Sequence, residues 1–182
     1  MGWTGLIILL LILLLGGYYI YTVTHVTKMD SIARNAGGEL DTLIWDRNHV
    51  YEQITAKLQE HGIELDEKLT KKLGLGLGMT PSVQMANYTE LHRRWTQLLP
   101  IMEEHPELKE DEALEKLKAR FADLRVETMK AESKYNRAAT DFNAYIQKPF
   151  PGFIAARKTK GTRSNFNVVL AEANINDPLS HI

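Results

Sequence analysis

The stretch LEKLKARFADLRVETMKAESKYNRAATDFNAY, residues 114–145, decides the fold of this chain. Apolar and small residues recur in it at alternating steps of three and four, the spacing of one helix face in a bundle or coiled coil. The seam comprises Leu114, Leu117, Phe121, Leu124, Thr128, Ala131, Tyr135, Ala138, Phe142 and Tyr145. The pattern predicts a long helix from about residue 107 to 147, which Pro149 and Pro151 end.

The segment before this one predicts a second long helix. Threonine is a good N-cap and proline suits the first helical position, so Thr80-Pro81 marks its start. Its apolar face comprises Tyr88, Leu91, Trp95, Leu98 and Met102. His105-Pro106 closes it, because the residue before a proline is disfavoured in the helical conformation.

A third long helix is predicted to run on from the apolar N-terminal segment and to end before Gly62. Its apolar face comprises Met29, Ala33, Ala36, Leu40, Ile44, Tyr51, Ile54 and Leu58. Arg47 interrupts this face, and Gly62 suits the C-terminal cap. Gly37-Gly38 weakens the helix and is a candidate flexible joint.

The connection between the helix that ends before Gly62 and the helix that begins at Pro81 contains a short amphipathic piece, about residues 64–73. It also contains the glycine-alternating run LGLGLG at residues 73–78. This run lacks the Gly-Lys-Ser/Thr ending of a phosphate-binding loop, and no strand pattern precedes it. We interpret it as a loop. No strand pattern is found elsewhere in the sequence, so the predicted fold class is all-α: an N-terminal transmembrane helix, then an antiparallel bundle of three long helices plus short ones.

The N-terminal segment predicts a membrane anchor. Residues 1–27 carry no formal charge with His25 neutral, and residues 3–23 would span about 31 Å as a helix, close to the hydrocarbon thickness of a bilayer. The candidate anchor residues are Trp3, Leu6, Leu10, Leu14, Tyr18, Tyr19 and Tyr21. A cleaved signal peptide is the alternative, but it needs a basic start and a small-residue cleavage site, which this stretch lacks.

The basic residues flanking the anchor predict its orientation. None precedes it, whereas Lys28, Arg34 and Arg47 follow, which places the N-terminus outside and the domain in the cytoplasm. We therefore divide the chain into an anchor (1–27), a helical bundle (28–156) and a basic tail (157–182). If the three soluble helices leave, return to and leave the membrane in turn, the tail lies at the far end.

Composition argues against several kinds of chemistry. The 182 residues include 22 basic and 23 acidic side chains and no cysteine, which gives no reason to expect nucleic acid and excludes thiol chemistry and disulfides. A di-iron bundle needs Glu-x-x-His on two helices, and the nearest match is a single Asp46-x-x-His49. No nucleophile or nucleotide-binding motif occurs either. We expect no enzyme activity, cofactor or metal.

Two groups of residues are candidates for specific contacts. Asn136 and Asn143 lie two turns apart, each directly after an aromatic residue, which suggests hydrogen bonding within or between helices; two exposed asparagines are the alternative. The candidate seam or interaction residues are Leu117, Phe121, Leu124, Tyr135, Asn136, Phe142, Asn143, Phe150 and Pro151. The candidate lipid or partner contacts are Arg157, Lys158, Lys160 and Arg163, with a solvated tail as the alternative.

Several of these residues form a pattern that resembles the LemA family of bacterial envelope proteins. The pattern comprises His105-Pro106-Glu107-Leu108-Lys109, Leu114 to Leu124, Tyr135-Asn136, Phe142-Asn143, Ile146 and Phe150-Pro151. It covers about residues 104–156. The family usually has a basic pair and an Ile-Pro-Asn stretch in its first soluble helix, whereas residues 46–54 here read DRNHVYEQI, without proline.

The resemblance implies a single-pass protein of the bacterial inner (plasma) membrane with a helical-bundle domain, and it supplies no catalytic residue. Relatives linked to membrane remodelling and envelope stress favour a scaffold or adaptor that associates with itself and with other membrane proteins. The alternative is a lipid-binding or membrane-remodelling module that acts through the anchor and the basic tail. The expected partners are the lipid bilayer and further copies of the chain.

Overall fold

The computed structural model describes residues 2–74, 81–158 and 160–166. Across these residues the chain is helical and has no strand, which confirms the all-α class. The elements are α1 (Trp3–Glu60), α2 (Glu67–Thr70), α3 (Pro81–Glu103), a 3-10 helix (Pro106–Glu110), α4 (Glu112–Ile146) and α5 (Pro149–Arg157). The predicted cap Thr80, residues 75–78 of the glycine run and the tail beyond residue 166 lie outside the described residues.

Helix α1 is continuous over 58 residues, from the apolar segment into the soluble part. The helix continues through Gly37-Gly38, where the flanking Ala36 and Leu40 are buried and their packing offsets the low helix propensity of glycine. The flexible joint at this position stays a prediction. The helix ends as predicted. Gly62 takes the left-handed conformation, with φ of 79°, and the Ile63 N–H closes the last turn on the Leu58 carbonyl at 3.1 Å.

The residues pack into two compact units, which we describe separately. The anchor unit comprises Met1–Ala36 and Lys134–Asn165, and the bundle unit comprises Gly37–Ser133 together with Phe166 among the described residues. Helices α1 and α4 contribute to both units. The predicted boundaries at residues 27 and 156 refer to the membrane and the tail rather than to packing, and they stay predictions.

The core of the bundle unit is built around Phe121 of α4. The ring of Phe121 lies 4.2 Å from that of Trp95 and 6.4 Å from that of Tyr51. The Arg47 guanidinium lies 4.3 Å from the Phe121 centroid and donates to the Tyr88 hydroxyl at 2.6 Å. Arg47 is only 1% exposed. The arginine that interrupts the predicted apolar face is therefore part of the core.

The contacts of the bundle unit fix the helix directions. Tyr88, near the start of α3, lies beside Arg47 in the middle of α1, whereas Asp111, just before α4, accepts a hydrogen bond from His61 at the end of α1, at 2.9 Å. Helix α3 therefore runs in the same direction as α1, and α4 runs opposite to both. Tyr51 of α1 binds the described part of the connection to α3 by donating to the Leu69 carbonyl at 3.0 Å.

Helix α4 begins later than predicted, at Glu112 rather than near residue 107. Aspartate is a strong N-cap, and one oxygen of Asp111 accepts from the N–H groups of residues 113 and 114 at 2.8 and 3.1 Å. The seam is buried as predicted at Leu114, Phe121, Leu124, Thr128, Ala131, Tyr135 and Phe142. Leu117 and Tyr145 are only partly buried, and Ala139, rather than Ala138, is buried.

Candidate functional site

The most unusual feature of the anchor unit is a buried carboxylate on α1. Asp30 is 3% exposed and lies on the same face of the helix as Val26 and Ala33, both fully buried. An ionised carboxylate at such a position requires charged partners, because burial alone disfavours the charge. Sequence reasoning missed this residue, although the steps of four and three from Val26 to Asp30 and Ala33 would place it on the seam.

Three basic side chains surround Asp30. One carboxylate oxygen accepts from Arg34 at 2.8 Å and pairs with Lys160, and the other accepts from Arg163. Burial raises the pKa of Asp30, but the hydrogen bonds from Arg163 and Lys160 outweigh it and lower the pKa to about 2. We call Asp30, Arg34, Lys160 and Arg163 the Asp30 cluster. It ties the start of the tail to α1.

A second set of bonds fixes the backbone of the tail to α4. The Asn143 side chain donates to the Arg163 carbonyl at 2.7 Å and accepts from the Arg163 N–H at 2.8 Å. The Tyr135 hydroxyl donates to the Ser164 carbonyl at 2.8 Å. Asn143 thus binds the tail rather than another helix, while Asn136 is half-buried on α4.

The prediction that the tail lies far from the anchor is wrong. Lys160 and Arg163 contact Asp30, which lies only seven residues beyond Val23, the last residue of the proposed membrane span. The prediction failed because it assumed that α3 runs opposite to α1. Within the bundle unit α3 runs in the same direction as α1, and α4 runs opposite to both.

Helix α5 follows directly on α4 and was not predicted. As predicted, the long helix ends before Pro149, at Ile146. Both prolines then lie in the first turn of α5, where a missing N–H costs no helical hydrogen bond. Gly152 permits the close approach of α5 to α4, since a Cβ atom there would lie 2.5 Å from the Ile146 carbonyl oxygen.

The inner face of α5 packs on the anchor unit. Ile154 and Ala155 are buried with Val26 and Phe142. At the start of α5, the Phe150 ring stacks on Tyr18 at 5.0 Å and meets Tyr19 edge-on at 6.5 Å. The tyrosines at the end of the apolar segment are therefore in contact with a helix more than a hundred residues later in the chain.

The apolar segment of α1 presents its side chains outward. Trp3, Leu6, Leu10 and Leu14 are 88%, 56%, 52% and 68% exposed. Helix α1 is long and apolar enough to cross a membrane, with a mean hydropathy of 2.4 over its best 18 residues, of which 6% are buried. Tyr21 stacks on the His25 ring at 5.6 Å.

The remaining predicted site residues belong to the two units rather than to one surface. Leu117, Phe121 and Leu124 pack in the bundle unit, whereas Tyr135, Phe142, Phe150 and Pro151 belong to the anchor unit. Lys158 is exposed, and the Arg157 guanidinium lies 5.5 Å from the Phe153 centroid. Within the described ranges, no group of three or more histidine or acidic side chains is arranged to hold a metal ion.

One further polar contact lies in the bundle unit, between the end of α1 and the start of α4. His61 and Asp111 form a hydrogen bond at 2.9 Å, and Lys57 lies 4.0 Å from the same carboxylate oxygen. The hydrogen bond from His61 and the two backbone N–H groups hold the pKa of Asp111 at about 2. Asp111 therefore has a structural role: it caps the start of α4 and binds the end of α1.

These features define a helical protein with an N-terminal segment suited to a membrane and a packed helical domain behind it. The family model described as the LemA family matches residues 48–179, and the chain belongs to this family. The resemblance in the sequence is thereby confirmed, and family membership supports a membrane-associated helical protein. No curated protein matches the chain significantly.

Proposed function

We propose that this protein is a membrane-anchored scaffold or adaptor of the bacterial cell envelope, which associates with copies of itself and with other membrane proteins and is not an enzyme. The continuity of α1 carries this proposal. One unbroken helix contains both the outward-facing apolar segment and, from Leu40 to Leu58, one wall of the bundle core. A partner bound to the bundle is thus held to the membrane without a linker.

Exposed apolar residues of α4 supply a surface on which self-association can be tested. Val126 and Met129 lie one helical turn apart and are 52% and 48% exposed. Interfaces between copies are richer in apolar and methionine side chains than the rest of a protein surface. We therefore assign the contact between copies to this side of α4.

The alternative, a lipid-binding module that acts through the basic tail, receives less support. Lys160 and Arg163 are paired with Asp30, and their side chains are only 18% and 23% exposed. Charges compensated inside the protein contribute little to binding an anionic membrane. The proposed location is the inner membrane, with the N-terminus outside and the bundle in the cytoplasm.

Light scattering on the detergent-solubilised full-length protein tests the proposal. We expect a defined oligomer, and we expect Val126→Lys with Met129→Lys to shift it toward monomer. Lys116→Gln, at an exposed position on the same helix, is the matched control and leaves the mass unchanged. A monomeric wild type would contradict self-association. Elemental analysis of protein purified without chelators tests the proposal that the protein is not a metal-dependent enzyme. A stoichiometric amount of bound metal would contradict it.

A further inference from the structure

The outer face of α5 carries an exposed apolar stripe. Pro149, Phe153 and Ala156 follow one another at steps of four and three, so they lie on one side of the helix, and all three are exposed. Phe153 is 54% exposed. The opposite side, with Ile154 and Ala155, is buried in the anchor unit. An ordinary surface helix has polar residues on the face turned away from the core, so this helix is unusual.

The charged residues of α5 and its two flanking positions are all basic. The sequence of residues 148–158, KPFPGFIAARK, contains no acidic residue. Lys148 stands at one end of the helix and Arg157 and Lys158 at the other, and all three are exposed. A helix with an apolar stripe and basic ends complements the boundary between acyl chains and anionic headgroups.

The contacts of α5 place it beside the end of the proposed membrane span. Phe150 packs on Tyr18 and Tyr19. Tyr18 lies 15 residues after Trp3, which is about 22 Å along a helix, so it falls about 8 Å short of the far edge of a hydrocarbon core about 30 Å thick. Phe150, at the start of α5, therefore lies within the depth of about 5–10 Å to which interfacial helices bury their apolar face. Ile154 packs with Val26, about 12 Å further along α1, so α5 extends from this level toward the headgroups.

We propose that α5 lies in the interface of the bilayer that α1 spans, with Phe153 and Ala156 against the acyl chains and Lys148 and Arg157 beside anionic headgroups. This inference rests on the anchor in the proposed function. The bilayer is favoured over a second copy of the chain because Phe150 places the start of α5 against the end of the apolar segment of α1, and because every charged residue in 148–158 is basic.

Spin labels on the full-length protein in liposomes of phosphatidylethanolamine and phosphatidylglycerol test this inference. The chain has no cysteine, so each introduced cysteine is unique. Labels go to Phe153→Cys and to Ala156→Cys, which keeps the Phe153 ring. Leu10→Cys is the reference for the hydrocarbon, and Arg137→Cys, exposed on α4 in the same unit, is the reference for water.

We expect labels at 153 and 156 to collide with oxygen more than with a water-soluble nickel chelate, and the label at 137 to show the reverse. Nickel access at 153 and 156 should be about fivefold lower than at 137. If the labels on α5 are accessible to the nickel chelate while the label at Leu10 is not, the inference is overturned and the anchor stands. If the label at Leu10 is itself accessible to the nickel chelate, both are overturned. Labels on α5 shielded from both reagents would indicate a protein partner and would also overturn it.

The charge component has its own test. In the protein labelled at Ala156→Cys, we expect adding phosphatidylglycerol to the liposomes to increase the depth of the label. Neutralising the basic ends of α5 with Lys148→Gln and Arg157→Gln should abolish this increase. Lys116→Gln with Lys130→Gln removes two exposed charges of α4 and should preserve that increase. Equal responses in the two variants would contradict a role for the basic ends of α5.

Discussion

The side-chain amide of Asn143 pairs with both backbone groups of Arg163, as a neighbouring β-strand would, through bonds of 2.7 and 2.8 Å. The contact does not depend on which side chain follows in the tail, because it uses the backbone of residue 163. It orients the Arg163 side chain toward Asp30, so the backbone contact and the charge contact support each other.

Replacing Asn143 by Leu removes both bonds and leaves the backbone of Arg163 without these partners. We expect a loss of about 1–3 kcal/mol in the free energy of unfolding and faster amide hydrogen exchange in residues 160–166. Urea unfolding and exchange mass spectrometry in detergent measure the two effects. Thr140→Ala, exposed one turn away, should change neither. Unchanged exchange in the Asn143 variant would show that the amide does not hold the tail.

Replacing Asp30 by Asn leaves three cations around a neutral side chain. Breaking a buried ion pair on one side costs about 3–5 kcal/mol, and we expect the lower end of this range because the basic partners are partly exposed. Thermal unfolding in detergent gives the change. Asp141→Asn, an exposed carboxylate in the same unit, serves as the control. Equal stability of both variants would contradict the role of the Asp30 cluster.

The pKa of Asp30 also predicts a pH dependence. This pKa is lowered from 3.8 to about 2 in the folded protein, so the cluster contributes stability that is fully present above pH 4 and is lost as the pH falls through about 2. The difference in stability between wild type and Asp30→Asn should therefore be constant from pH 5 to 7 and shrink below pH 4. A difference that shrinks on the alkaline side would contradict this assignment.

Two glycines on helices should respond to alanine with opposite signs. At Gly152 a Cβ atom would lie 2.5 Å from the Ile146 carbonyl oxygen, so we expect a loss of about 1–3 kcal/mol as α5 shifts. At Gly38 nothing lies within 4 Å, so alanine should stabilise the helix by about 0.5–1 kcal/mol. Unfolding in urea compares the two. A stabilising Gly152→Ala would contradict the close packing of α5 on α4.

Periodicity predicted most of the helical structure. The seam of α4 and the faces of α1 and α3 follow from steps of three and four, since burying a stripe of side chains dominates helix packing. The same reasoning failed where a charged residue occupies the stripe. Asp30 and Arg47 are both buried. Asp30 pairs with Arg163 and Arg47 donates to Tyr88, and no local sequence pattern reveals partners so far away in the chain.

Tertiary contacts account for the rest of what was missed. The prolines at 149 and 151 fit either a helix end or a helix start, and only the packing of α5 on α1 decides between them. The direction of α3 depends on the path of its connection, which carries little periodic signal. Phe166 is 1% exposed against Tyr88, at a ring distance of 6.4 Å, yet in the sequence it stands alone in a polar segment.

The pairing of two distant segments in the anchor unit has a consequence for folding during synthesis. Phe150 packs on Tyr18 and Tyr19, and Asp30 binds Lys160 and Arg163, so these contacts join segments that are more than a hundred residues apart. The ribosome must therefore release residue 163 before the anchor unit can close, whereas the bundle helices are synthesised earlier.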